Sequence, residues 1–251
     1  MPLKIISLNI EKNRHLERVI PFLQTKAEEG YSLFCLQEVF KKELPLLQER
    51  LGCSVSFFPT CKYMGVRWEF KDQEQAQEQG FALMYKDSPQ YLEQFCYHKD
   101  EQQLPEHTDD HVMIHTGLII AKYEVDNQAY TIATTHFPVA PGGGTNKRQK
   151  DSLEVMLHRL DSFEDLILCG DFNAPRGKEV FSKLASIYKD NIPKEITTTI
   201  DGKFHRAGDL PYVVDGLFTT DHYIVSDIEI VDELSDHKAI VATIKKSNAK
   251  I

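Results

Sequence analysis

The stretch that most restricts how this chain can fold is Leu166-Ile167-Leu168-Cys169-Gly170-Asp171-Phe172-Asn173-Ala174-Pro175. Its apolar run reads as a strand buried on both faces. Gly170 permits a turn or a close backbone approach, and Pro175 prevents a central strand from continuing. Asp171 and Asn173 alternate with Phe172, which places their side chains on one face, two residues apart. A carboxylate and an amide fixed at the end of a rigid strand suit a reacting phosphate and its attacking water. The plainer alternative is a strand end followed by an Asx turn.

Other strands also end on polar side chains. Residues 3–10 read as a strand that ends at Asn9, with Glu11 on the same side if the strand persists. Leu16, Val19, Ile20, Leu23 and Ala27 then form one helical stripe over 14–28, closed by Gly30. The next strand, 33–39, carries Glu38 after an apolar run and a Gln. A carboxylate buried there requires a partner or a metal. A short helix at 41–51 and a strand at 53–58 follow. Residues 59–79 lack a period and read as a surface loop holding Arg67 and Trp68.

Strands are expected at 80–85 and 91–97, with a charged loop over 98–110. His107, Asp109, Asp110 and His111 read as part of a solvated loop rather than a metal cluster. Segments 111–125 and 129–135 form a hairpin turned by Asp126 and Asn127. His136 stands where that hairpin stops, before the rim Pro141-Gly142-Gly143-Gly144-Thr145. No Gly-Lys-Ser/Thr follows the glycines, so a P-loop is excluded. Asn146 opens a helix buried through Leu153, Met156, Leu157 and Leu160. Arg148 in its first turn faces either a core carboxylate, the preferred reading, or a phosphate at the rim. A helix at 177–189 leads into an irregular segment, 190–211, whose Thr197, Thr198, Thr199, Asp201, His205 and Arg206 are available to line a cleft. Strands at 212–218 (with Asp215 in its middle), 222–231 and 239–244 close the chain, the last introduced by Ser235-Asp236-His237.

The formal charge of −9 argues against a nucleic-acid coating protein, which carries a basic face, but leaves room for one local phosphate site. Five cysteines, an odd number with no Cys-x-x-Cys pair, fit a reducing compartment. No leader pattern and no apolar run of about 20 residues is present, so the expectation is a soluble cytoplasmic monomer without stable membrane association. Strands in two runs, with helices between and no internal repeat, predict one α/β domain over residues 1–251 built on two packed sheets.

Asn9, Glu38, His136, Asp171, Asn173, Asp215, Asp236 and His237 thus share one kind of address, the strand end. Carboxylates beside an amide suit an oxygen-ligated Mg²⁺, and two histidines suit proton transfer. With the motifs Ser7-Leu8-Asn9-Ile10-Glu11, Leu36-Gln37-Glu38, Thr135-His136, Gly170-Asp171-Phe172-Asn173, Val214-Asp215 and Ser235-Asp236-His237, the chain resembles the endonuclease/exonuclease/phosphatase superfamily from residue 5 to residue 244. The resemblance implies a four-layer α/β/β/α sandwich with two mixed β-sheets and outer helices. It implies Mg²⁺-dependent hydrolysis of phosphate esters, with Mn²⁺ as a substitute ion. With no leader, amphipathic anchor or long apolar hairpin in the sequence, the favoured substrate is a phosphodiester of nucleic acid or nucleotide. Phospholipid or inositol-phosphate hydrolysis is the alternative, and a catalytically silent binding protein the third reading.

By the same resemblance Glu38, Asn9 and Asp236 are expected at the metal. Asp171 and Asn173 are expected to orient water, and His237 to contact phosphate or act as base with Asp215 orienting its ring. His136 matches the pancreatic-nuclease and sphingomyelinase branch. The carboxylate that supports this histidine there has no sure counterpart, since Gln79 and Glu78 fall near its place. Arg67, Arg148 and Arg206 are the expected substrate-binding cations.

Overall fold

The computed structural model describes residues 2–65, 76–98, 103–107 and 114–247. Arg67, Trp68, Asp109, Asp110 and His111 lie outside those residues. Among the described residues the strands form two sheets. The first has the order β12 (Tyr223–Val231), β13 (Ala239–Lys246), β1 (Leu3–Asn9), β2 (Leu33–Phe40), β4 (Gln77–Tyr85), β3 (Ser54–Tyr63), β6 (Glu106–His107). The second has the order β10 (Lys189–Asp190), β11 (Asp215–Thr219), β9 (Ile167–Asp171), β8 (Gln128–His136), β7 (Gly117–Val125), β5 (Tyr91–Cys96).

Each sheet contains one strand–helix–strand crossover. In the first, β1 runs through α1 (Leu16–Glu28) to the parallel β2. In the second, β8 runs through α3 (Lys147–Leu160) to the parallel β9. Most other pairings are antiparallel, so both sheets are mixed. Val19 and Leu23 of α1 join Leu44, Leu47 and Leu51 of α2 (Leu44–Leu51) against Ile6, Leu8, Phe34 and Leu36, which covers the outer face of the first sheet. The alternate residues Ile5, Leu33 and Cys35 belong to the larger core shared with the second sheet, where the thiols of Cys35 and Cys169 meet. Leu153, Met156 and Leu160 of α3 and Val180, Phe181 and Leu184 of α4 (Glu179–Ala185) complete that core. The result is a four-layer α/β/β/α sandwich. No disulfide joins any of the five cysteines. Among the described residues no helix is long and apolar enough to cross a membrane.

The structure departs from the sequence reading in three places that matter. β3 does not stop before Pro59; it continues to Tyr63 through a register shift between Pro59 and Cys61. A bulge is one of the few places in a sheet that admits proline. β4 correspondingly begins at Gln77, so both ends of the expected 59–79 loop are strand. Asp215 opens β11 rather than standing in its middle. Val213 and Val214 lie outside the ladder, and their carbonyls accept from Arg176 N–H and Phe172 N–H.

Candidate active site

In open α/β sheets, ligands gather outside the carboxyl ends of parallel strands. Asn9, Glu38, His136 and Asp171 stand at or near those ends in β1, β2, β8 and β9. Register then aligns the second sheet: His136 is opposite Asp171, and Asp171 opposite Asp215, giving one row across β8, β9 and β11. His237 enters from the segment just before β13. Asp171 and Asp215 are almost fully buried, at 1% and 2% exposure.

Local backbone explains how each group is aimed. Gly170 has φ 141°, and a Cβ there would sit 2.1 Å from the Thr135 carbonyl oxygen, so only glycine lets β8 and β9 approach as they do. Gln37 and Glu38 face Phe81 across a register shift between Leu36 and Val39, and Glu38 adopts φ 56°. This bulge turns the carboxylate into the cleft, as bulges beside functional sites do. Asn173 has φ 48°, and its N–H donates to Asp171 Oδ1 at 2.8 Å. The Asx turn and the polar pair, alternatives in the sequence, are therefore one feature.

The side chains converge by hydrogen bonds and charge. His237 Nδ1 lies 2.9 Å from Asp215 Oδ2, and its Nε2 lies 3.9 Å from Asp171 Oδ2. His136 Nε2 lies 3.6 Å from Asp171 Oδ2 and 3.9 Å from Glu38 Oε1. Its Nδ1 is buried without a hydrogen-bond partner, and Gln79 Oε1 instead accepts from Cys61 Sγ at 3.6 Å. Among the described residues no carboxylate therefore takes up the supporting place for which the resemblance left no sure counterpart. Asn9 Oδ1 accepts from Glu11 N–H at 3.0 Å, while Nδ2 donates to Asp171 Oδ2 at 3.1 Å and approaches Glu38 Oε1 at 3.4 Å. Asn9 therefore presents N–H groups, not an oxygen, to the two carboxylates.

Burial and neighbours shift these groups in opposite directions. Burial works against the Glu38 carboxylate, but Lys12, His136 and His237 outweigh it and hold Glu38 far below the usual range. Burial is the main force raising Asp171, with Asp215 adding to it. Burial opposes the His237 charge, yet Asp215, Asp171 and Asp236 together lift it well above the usual imidazole range. Asp236 is raised by burial and by Glu38, and Glu11 by burial and by Asp236. Three carboxylates thus crowd one another in a cleft of hard oxygen donors, which suits a divalent cation such as Mg²⁺. The one group of three His, Cys, Asp or Glu ligand atoms within 4.8 Å among the described residues is Asp171, Asp215 and His237. That group is closed on itself by the 2.9 Å Asp215–His237 contact and does not contain Glu38 or Asp236.

The cleft is lined by Glu11, Lys12, Arg14, Arg206, His205 and Ile114 around the central groups. Arg206 stands at its wall. Arg148 is not among the cleft-lining residues, and one of its contacts is a donation to the Ile114 carbonyl at 2.7 Å. Four further contributors were given no specific role by the sequence. Thr199 Oγ1 accepts from the Val214 and Asp215 N–H groups at 3.0 and 3.1 Å and so anchors Asp215. Gln149 Nε2 ties the Pro138 and Asn173 carbonyls together at 2.8 and 3.0 Å. Glu11 and Lys12 enter the cleft because β1 stops at Asn9 and the chain turns. Glu11 was within a motif and Thr199 among the residues available to line a cleft; nothing in the sequence marks Gln149 or Lys12 as site residues.

No protein-family model matches the sequence, and no curated protein matches it. Solved structures with the same fold do exist. An endonuclease/exonuclease/phosphatase of Bacteroides vulgatus superposes with a TM-score of 0.70 at 16% identity, over 98% of this chain and 100% of that one. The human nocturnin catalytic domain, with bound sulfate, gives 0.66 at 20%, over 98% and 94%. A mannosyl-6-phosphatase of Bacteroides thetaiotaomicron gives 0.67 at 14%, over 97% and 99%.

Proposed function

We propose that this chain, which carries the endonuclease/exonuclease/phosphatase fold, hydrolyses phosphate esters, with a phosphodiester of nucleic acid or nucleotide as substrate. The observation that carries the reading is the row His136–Asp171–Asp215, with His237 closing on Asp215 and Glu38 facing Asp171 through Asn9. A phosphate transition state needs positive charge around its oxygens and a base beside the water, both held in place beforehand. His237, kept protonated by its acidic neighbours, donates from Nε2 to a phosphate oxygen. Asp215 fixes the ring by accepting from Nδ1. Asp171, raised by burial, takes the proton of the attacking water. Asn173 holds the other oxygen of Asp171 through its backbone N–H. His136 Nε2 faces the same space and donates on the side of Glu38. Asn9 keeps Glu38 and Asp171 in register, and Arg206 meets the substrate at the wall.

Glu38 and Asp236 are the residues that would hold a divalent cation, which supplies charge neutralisation at the phosphate when bound. The test is p-nitrophenol release from bis(p-nitrophenyl) phosphate with Mg²⁺ or Mn²⁺ and with a chelator, alongside DNA, RNA, sphingomyelin, inositol phosphates and sugar monophosphates. Hydrolysis of diesters is expected, with Asp171→Asn slower by roughly 100- to 10,000-fold. Turnover of lipid or monoester substrates alone would overturn the nucleic-acid reading. No turnover of any ester would overturn the enzyme.

A further inference from the structure

Directly after β1 the backbone does something costly. Glu11, Lys12 and Asn13 all have positive φ (42°, 55° and 63°), and none is glycine. Such residues cost about 1–2 kcal/mol each in isolation, so the surroundings must impose the conformation. They do: Asn9 Oδ1 takes the Glu11 N–H, Asn13 N–H donates to the Ile10 carbonyl at 2.9 Å, and Asn13 Oδ1 takes the Phe40 N–H at 2.7 Å. The product of this turn is the placement of one ammonium group. Lys12 Nζ lies 3.1 Å from Glu38 Oε2 and 5.5 Å from the centre of the Tyr63 ring, with the side chain only 15% exposed. It approaches Oε2 off the direction of a hydrogen bond, since that buried oxygen has no hydrogen-bond partner. A cation is therefore seated on the carboxylate that the proposed function assigns to the metal.

We propose that Lys12 is a resident cation on Glu38 which a divalent ion must displace, so that Lys12 sets the threshold for metal loading. The inference rests on the reading of Glu38 as a metal ligand. Two positive charges cannot share one carboxylate at contact distance without strong repulsion. Metal binding therefore requires the ammonium to leave both Glu38 and the Tyr63 face, and the free energy of that departure is subtracted from metal affinity. Lys12 acts on the ion and not on the ester, so its signature is in binding rather than in turnover.

The experiment is calorimetric titration of Mg²⁺ and Mn²⁺ into the whole protein, as wild type, Lys12→Met, Lys12→Arg and Glu38→Gln. Lys12→Met keeps the aliphatic stem on Tyr63 and removes the charge; it is expected to tighten Mg²⁺ binding by at least about tenfold. Lys12→Arg keeps the charge and is expected to stay weak. Lys12→Gly removes the charge and relieves the positive φ; should the methionine variant not fold, it reports the same tightening. Unchanged or weaker affinity in Lys12→Met, with wild-type binding intact and lost in Glu38→Gln, overturns the role of Lys12 alone. Absence of binding in every variant, or binding that survives Glu38→Gln, overturns the metal site itself and this inference with it.

Discussion

At the scale of single residues, the Asp215–His237 pair makes the sharpest statement. Asp215 is the strongest influence lifting His237. Asp215→Asn therefore lowers the imidazole pKa, and the alkaline limb of the rate profile moves to lower pH. Initial rates across pH for wild type and variant check this; an unmoved limb means another group governs it. The same linkage appears in stability. A group whose folded pKa is raised contributes stability that is complete below its unfolded value, about 6.5 for histidine. That contribution fades as pH rises through the folded value. His237→Gln is thus expected to flatten the alkaline loss in melting temperature. Because the two side chains act as a unit, the double variant Asp215→Asn with His237→Ala is expected to be little slower than His237→Ala alone.

The scale of elements shows why some of this was legible in the sequence and some was not. Asn9, Glu38, His136 and Asp171 could be read because each follows an apolar run long enough to be a buried strand, and a polar side chain there is costly without a purpose. Asp215 was found for the same reason, though its strand was started too early, since Val213 and Val214 look like ladder residues. The extension of β3 through Pro59 was hidden, because a bulge has no mark of its own and proline argues against it. The extension of β4 was hidden by the polarity of Gln77, Glu78 and Gln79, although Gln79 is buried at the cleft. Thr199 and Gln149 act through backbone groups that only the tertiary fold brings near. Lys12 depends on three successive positive φ angles for which only Asn13 is a favoured residue type. Gly170 belongs to this scale too. Gly170→Ala must both accept φ 141° and displace the Thr135 carbonyl, so β8 and β9 separate where the site is built. The expected loss is about 3 kcal/mol or more, read as a lower urea midpoint with an unchanged slope. A shift under about 0.5 kcal/mol would contradict the close approach.

For the whole molecule, the relation between net charge and site charge decides how a polymeric substrate behaves. The chain carries −9 overall, while Lys12, Arg14 and Arg206 gather at the cleft. Lys147 and Lys203 are engaged by Asp151 and Glu233, and so add little to a wider basic track. Few phosphates of an oligonucleotide can be neutralised at once, and the logarithmic salt slope of binding should correspond to about two to four contacts. Arg206→Glu is expected to raise KM for an oligonucleotide several-fold and to leave bis(p-nitrophenyl) phosphate much less affected. Equal losses on both substrates would show that Arg206 serves the reacting phosphate, not the polymer.

The position of β13 between β1 and β12 has a consequence in time. Strand β1 is synthesised well before β13, so one of its two edges must wait for residues 239–246. Until then an apolar strand in the middle of the eventual sheet stands open to foreign pairing. His237 arrives with the same late segment. The growing chain thus exposes that edge while it still lacks its site, and both conditions end in one event, when β13 slides into its slot.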